Sequence, residues 1–334
     1  VECAPGTLSE EKIEALVRCG VNRVSLGVQS FVDQESASVA RLHKRAIVLD
    51  DIARLRAAGI SNINVDLIAG LPHQTVESWQ ESLEQLIATG VPHASVYMLE
   101  VDEDSRLGRE LIAGGQKYHA HFVPDEDLTA DMYEIACEGL NAAGIQQYEI
   151  SNFARPGFES KHNLKYWTRQ PYLGFGVDAH SMLLADPCSG TAHAGTAALA
   201  EPALSERPKE GSRMGPGEQS SPLRSTHNAL RFSNPEDLDE YLQCAPAKQT
   251  VIPPEAALQE TYFLGLRLTR GLSMHDIAAQ FGKQSAASTI ISDCVRDGLM
   301  EQDGDVIRLT PKGRLLSNEV FERFLAPMSV CAAL

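Results

Sequence analysis

The feature that most constrains this chain is a change of hydrophobic period, repeated through its first 150 residues. Strand-like runs stand at 23–29 (RVSLGVQ), 62–68 (NINVDLI), 94–100 (ASVYMLE) and 145–151 (IQQYEIS). Between them apolar residues recur at helical spacing: Leu8, Ile13, Leu16 and Val17 in 8–19, Leu49, Ile52 and Leu55 in 48–58, Trp79, Leu83, Leu86 and Ile87 in 76–88. A long helix is expected over 125–143, and Gly59, Gly90 and Gly144 stop three of the four helices. Strands that alternate with helices every 35 to 50 residues make βαβ units, hence an α/β fold with a parallel sheet. A (β/α) barrel and an open doubly wound sheet both satisfy this pattern. No GxGxxG or GxxxxGK opens a helix, so nucleotide folds built on those loops lose ground. GFGVDAH at 174–180 has no helix behind it and reads as a strand or bulge.

The pattern breaks near residue 184. Of the 41 residues in 186–226, 22 are Gly, Pro, Ala or Ser, with no aromatic residue and no period, so 184–226 reads as a disordered surface insertion and its His193 as a solvated side chain. Order returns with a strand at 226–232 and a helix capped by Ser233, a connecting segment over 227–252. Residues 253–325 form a separate unit: three helices, the second capped by Ser273, then a hairpin turning at Asp303-Gly304 and a last helix after Pro311. That is the order of a winged helix. Its eight basic and ten acidic side chains, and a third helix with one Arg and two Asp, make it a packing domain and not a DNA reader.

Charge and cysteine count narrow the class further. With 29 Lys and Arg against 45 Asp and Glu, the net charge of −16 argues against nucleic acid as a partner. No apolar run approaches the roughly 20 residues of a membrane span. The seven cysteines are scattered, the closest pair sixteen apart, without CxxC or CxxxC, so no zinc knuckle or iron–sulfur motif is legible in these residues. An odd, scattered set reads as reduced thiols in a cytoplasmic compartment. The chain opens on Val without a leader and reads as the interior of a longer protein.

In parallel α/β barrels the chemistry forms at the carboxyl ends of the strands. Those ends carry Gln29, Asp66, Glu100 and then Glu149 with Ser151 and Asn152, while Glu2 opens the chain ahead of Pro5, Gly6 and Thr7. A ring of carboxylates and amides suits hydroxyls and an amino group and suits phosphate badly. Arg41, with His43 and Lys44, adds positive charge that on the same face could take a carboxylate. A second candidate is KHNLKYW at 161–167. His162, Asn163, Tyr166 and Trp167 could hold a planar tetrapyrrole, with His162 on its iron; the same residues also suit a loop whose rings pack on the barrel.

Several strings, in order, resemble one family: ExxPGT (2–7), NRVSLGVQSF (22–31), RLH (41–43), NVDLIAGLPHQT (64–75), YEISNFARPG (148–157), HNLKYW (162–167) and YLGFGVDAHS (172–181). They resemble the radical SAM coproporphyrinogen III oxidase-like family over residues 2 to about 183, most of all its heme chaperone branch. The resemblance implies a partial (β/α) radical SAM barrel, TIM-like, over 1–183, with a winged-helix-like α+β domain behind it. Four barrel units are read here, which implies that two more precede residue 1, with the family's CxxxCxxC loop for a 4Fe–4S cluster and its S-adenosylmethionine loop. By the same resemblance Glu2, Gln29, Arg41 and Asp66 match S-adenosylmethionine contacts, Glu100 sits at the matching end of the next strand, and His162 matches the heme-binding histidine of HNxxYW. Cys3-Ala4 departs from the family's usual Ala-Asn and reads as a tolerated substitution. The expected function is heme binding and transfer to a heme-acceptor protein, including one at a membrane. Oxidative decarboxylation of coproporphyrinogen III by a 5′-deoxyadenosyl radical is the rival reading, and a non-catalytic scaffold fragment the third.

Overall fold

The structure, a computed structural model, describes residues 1–41, 43–100, 109–110, 122–184, 229–282 and 285–325. The chain divides into two compact units: Val1–Leu164 with Leu266–Gly271 and Arg308–Ser317, and Lys165–Gly265 with Leu272–Ile307 and Asn318–Leu334.

The first unit runs β1 (Glu2–Cys3), α1 (Glu10–Arg18), β2 (Arg23–Gln29), α2 (Asp33–Ser38), α3 (Arg45–Ala57), β3 (Asn62–Ala69), α4 (Val76–Thr89), β4 (His93–Met98), α5 (Glu126–Ala142), β5 (Gln146–Gln147) and β6 (Asn152–Ala154). Its sheet has the order β1-β2-β3-β4-β6-β5, and the first four strands pair in parallel. The expected alternation therefore holds, and the unit is a partial (β/α) barrel. Local chemistry sets the helix starts. Ser9 accepts from the Lys12 N–H, Asp125 from the Leu128 N–H, and Thr75 forms a reciprocal box with Ser78, each relieving a donor the helix cannot satisfy itself. Gly90, in the left-handed region at φ 66°, ends α4.

Two elements differ from the sequence reading. Helix α2 (DQESAS) has no apolar period; it buries Glu35, Ser36 and Ser38 against polar partners, Ser30 Oγ donating to Glu35 at 2.7 Å. Residues 145–151 are not a fourth parallel strand. The chain reverses there, the Tyr148 N–H donating to the Asn152 carbonyl at 3.1 Å, and β6 runs antiparallel to both β4 and β5.

The core of this unit lies on one face of the sheet. Val24, Leu26, Val28, Ile63, Val65, Leu67 and Val96 meet Ile13, Ile52, Leu55, Trp79, Leu83 and Leu86 from the helices. The Trp79 indole N–H donates to the Met132 carbonyl at 2.6 Å, which satisfies the one polar atom that this large ring buries.

Helix α6 (Lys161–Trp167) carries the boundary between the units. Then follow β7 (His180–Leu184), β8 (Ala229–Ser233), α7 (Leu238–Leu242), β9 (Lys248–Ile252), α8 (Pro254–Gly265), β10 (Leu272–Ser273), α9 (Met274–Phe281), α10 (Ser285–Arg296), β11 (Met300–Asp303), β12 (Val306–Leu309), α11 (Pro311–Leu315) and α12 (Ser317–Leu325). Strands β7, β8 and β9 form an antiparallel sheet, and β10, β12 and β11 another. Ser233 ends β8 instead of capping a helix; Asp237 caps α7, accepting from the Glu240 N–H. Ser273 caps α9 as expected. Residues 174–179, within the stretch expected as strand or bulge, are turn and irregular chain, and β7 begins at His180. The insertion read at 184–226 lies, from 185 on, outside the described residues.

Candidate functional site

Successive side chains of a strand alternate between its faces. In β2, β3 and β4 the alternation sorts sharply. Val24, Leu26, Val28, Ile63, Val65, Leu67, Ala94 and Val96 go to the core, so Arg23, Ser25, Asn62, Asn64, Asp66, His93, Ser95 and Tyr97 share the other face. Parallel strands are commonly apolar on both faces. A parallel sheet with one polar face is one that lines a cavity or cleft.

Register then places these residues in two rungs across the sheet. One is Glu2–Ser25–Asn64–His93, the other Gly27–Asp66–Ser95–Asn152. Asn64 joins the rungs. Its amide donates to Asp66 at 2.7 Å, to Ser25 at 2.7 Å and to Ser95 at 3.1 Å, while its carbonyl oxygen meets His93 Nδ1 at 2.6 Å. Ser25 donates to the other oxygen of Asp66 at 2.9 Å, Ser95 donates to Asn152 at 2.9 Å, and His93 Nε2 meets the Tyr148 hydroxyl at 3.0 Å.

Electrostatics follow from this burial. Desolvation raises the pKa of Asp66, against the pull of hydrogen bonds from Ser25, Ser95 and Asn64. Burial, then the Arg23 guanidinium, lowers His93 to about 3, so it is neutral at physiological pH. Tyr148 is pushed up to about 12 by burial. The centre of the trough is thus one carboxylate held by neutral donors, a set that accepts from hydroxyl or ammonium groups.

The expected strand-end residues gather on this frame to different degrees. Asp66 is its centre and Glu2 is registered beside Ser25, exposed. Gln29 sits at a bulge where the β2–β3 register shifts, in the left-handed region at φ 69°, 8 % exposed. Its amide lies over Gly27, where an added Cβ would stand 3.2 Å from Nε2, so the glycine makes room for the amide beside Asp66. Arg41 is half-buried and raises the cost of charging its neighbour His43, whose pKa is lowered first by burial. His43 Nε2 meets the Val28 carbonyl at 3.0 Å and so belongs to the scaffold. Glu100 is exposed just beyond β4. Glu149 does not join the trough as a free acceptor: it is fully buried, accepts from Asn152, and pairs with Arg267 at 3.3 Å. Cys3, registered with Leu26, packs on the apolar core, the face opposite Asp66.

His162 lies in the first turn of α6, exposed. Residues 161–167 are a helix, so His162 and Tyr166 share one face, four residues apart. The residues missed in the sequence were Ser25, Asn64, His93 and Ser95; the signal was present as polar residues at every second position of RVS, NINVDLI and HASVYM.

The trough fits the amino group and ribose hydroxyls of S-adenosylmethionine in donor chemistry, through the acceptors Glu2 and Asp66; no contact brings Arg41 onto this face among the described residues. The residues do not fit an iron–sulfur cluster: among the described residues no three His, Cys, Asp or Glu side chains stand together as metal ligands.

Comparison with known proteins bears on the same regions. Residues 1–86 match the family model of the radical SAM superfamily, and residues 252–316 match that of the HemN C-terminal domain. The chain is 33 % identical to the heme chaperone HemW of Bacillus subtilis, over 98 % of this chain and 76 % of that one. It is 31 % identical to the heme chaperone HemW of Lactococcus lactis, over 97 % of this chain and 74 % of that one. The solved structure of coproporphyrinogen III oxidase (HemN) from Escherichia coli, a radical SAM enzyme, has the same fold, with a TM-score of 0.69 at 20 % identity over 97 % of this chain and 68 % of that one. With a polar strand-end trough on a partial barrel, and relatives of this identity along nearly its whole length, the chain belongs to the HemN-like radical SAM family that includes the heme chaperones named HemW.

Proposed function

We propose that this chain binds heme and passes it to an acceptor protein. The observation that carries the reading is the identity to HemW relatives, sustained through the helix that presents His162 at the surface. An exposed axial ligand suits a cargo that must be taken up and released, because the iron's remaining face stays reachable by an acceptor's own ligand. The acceptor in this reading is a heme-accepting protein in the cytoplasm or at its membrane; among the described residues no helix is long and apolar enough to cross a membrane.

The same reading assigns S-adenosylmethionine to Glu2, Gln29, Arg41 and Asp66, with Glu100 at the rim. S-adenosylmethionine supplies, when bound beside a cluster, a source of radical chemistry; this chain's residues would orient it. The CxxxCxxC motif does not occur in these 334 residues, so this reading assigns none of them to a cluster.

Titration with hemin tests the heme assignment. The wild-type protein is expected to give a Soret band shifted from that of free hemin, and His162→Ala to bind at least tenfold more weakly with an altered band. An unchanged band and affinity in the variant would remove His162 as the ligand.

A further inference from the structure

Within the second unit residues that follow Lys165 line an open cavity of about 510 Å³, in the range of small-molecule sites. Its walls include the rings of Tyr166, Trp167, Tyr172 and Phe263. Tyr166 and Tyr172 meet edge-on, with centroids 4.7 Å apart. Three charged side chains are set into this lining. Glu260 accepts from Arg169 Nε at 3.0 Å through one oxygen and from Arg231 Nη2 at 3.0 Å through the other. One carboxylate between two guanidiniums leaves a net charge of +1. Arg169 is 7 % exposed and Glu260 8 % exposed. The Nη2 of Arg169 is buried and has no acceptor among the described residues. A buried donor without a partner costs stability, more when it is charged.

The backbone of Arg169 carries a second cost. Its N–H donates to the Tyr166 carbonyl at 3.0 Å and the Gln170 N–H to the Lys165 carbonyl at 2.8 Å, closing α6 in the double-bonded C-terminal motif. Arg169 holds the left-handed position of that motif, at φ 48°. Glycine is the ordinary residue there, and a side chain there is strained. Glycine would close the helix more cheaply; what it lacks is a guanidinium in the cavity wall. Strain, unmatched charge and an orphan donor therefore converge on one side chain.

We propose that this cavity binds a flat aromatic carboxylate, its ring system against the aromatic wall and its acid on Arg169 and Arg231. The acid supplies both missing elements, an acceptor and a countercharge. A cationic ligand would meet a net positive wall, and a neutral one would leave the charge unmatched. The site needs neither iron nor His162, though Tyr166 and Trp167 are rings that the heme reading also draws on.

The test uses 1-pyrenebutyrate and its methyl ester, followed by pyrene fluorescence on the whole chain. The acid is expected to bind at least tenfold more tightly than the ester. Arg231→Met, at a side chain 37 % exposed and therefore tolerant of change, should abolish that preference. Arg169→Gly relieves the backbone cost but takes one of the two partners from buried Glu260, so it is read by binding and not by stability: acid affinity should fall tenfold or more. Equal binding of acid and ester, or a preference that survives Arg231→Met, overturns the proposal. So does an Arg169→Gly protein that keeps its selectivity for the acid. The probe holds no iron, so the outcome is read separately from the hemin titration: either can fail while the other stands.

Discussion

The two faces of the sheet in the first unit are made from the same three strands and obey opposite rules. On one face Val24, Leu26, Ile63, Val65 and Leu67 are fully buried under helices. On the other, Ser25, Asn64, Asp66, His93 and Ser95 bury polar atoms and satisfy them through one another. The first face gains stability from apolar area removed from water, at roughly 25 cal/mol per Å². The second gains little, because each hydrogen bond replaces one to water, at a net of about 1 kcal/mol or less. The difference shows where stability resides and where chemistry can be kept: the polar face is tolerated because the apolar face stabilises the fold.

The comparison can be broken most forcefully at Leu67. Leu67→Ala, in a fully buried site, should lower the free energy of unfolding by about 3 kcal/mol in urea titration. Ser25→Ala on the opposite face should cost about 1 kcal/mol. Equal losses would mean that the polar network carries the fold.

A pH series sharpens it next. His93, lowered to about 3, stays neutral in the folded chain, whereas in the unfolded chain it takes up a proton below about pH 6.5. Acidification then favours the unfolded state. Stability should fall by about 1.4 kcal/mol between pH 7.5 and 5.5 from this residue alone. In His93→Gln that part of the slope should vanish, and a slope unchanged by the variant would place the titration elsewhere.

The smallest expected effect on stability is at Asp66. Its desolvation already penalises the charged form, so Asp66→Asn should change stability by less than about 1 kcal/mol at pH 7.5. Binding of S-adenosylmethionine should nevertheless weaken tenfold or more, measured calorimetrically. A variant that loses stability but keeps the ligand would reverse the roles assigned to the two faces.

Much of this was legible in the residues. The helix–strand alternation over 8–98 needed only periodicity, and Ser9, Thr75 and Ser273 begin helices for reasons of local hydrogen bonding. Asp66 was legible as a strand-end carboxylate. The strand read at 145–151 did not hold, and helix α2 went unread, because tertiary contacts overrode pattern. YEIS carries the alternation of a strand, yet Glu149 pairs with Arg267, more than a hundred residues away, and the chain turns back. Helix α2 has no apolar period because its buried face is polar and is matched by Ser30.

The sequence by itself determined that strands and helices alternate, which residues can pack as a core, and the family, since long strings in fixed order carry that information. Tertiary structure decided which polar residues become one site. Ser25, Asn64, Asp66, His93 and Asn152 come from four strands, and only the register of a folded sheet puts them within hydrogen-bond reach. It also decided that two strand-end carboxylates differ, Asp66 held by neutral donors and Glu149 neutralised by an arginine. The physical reason is range. Periodicity and capping act over a few residues, whereas desolvation and charge pairing depend on neighbours that the chain supplies from far away.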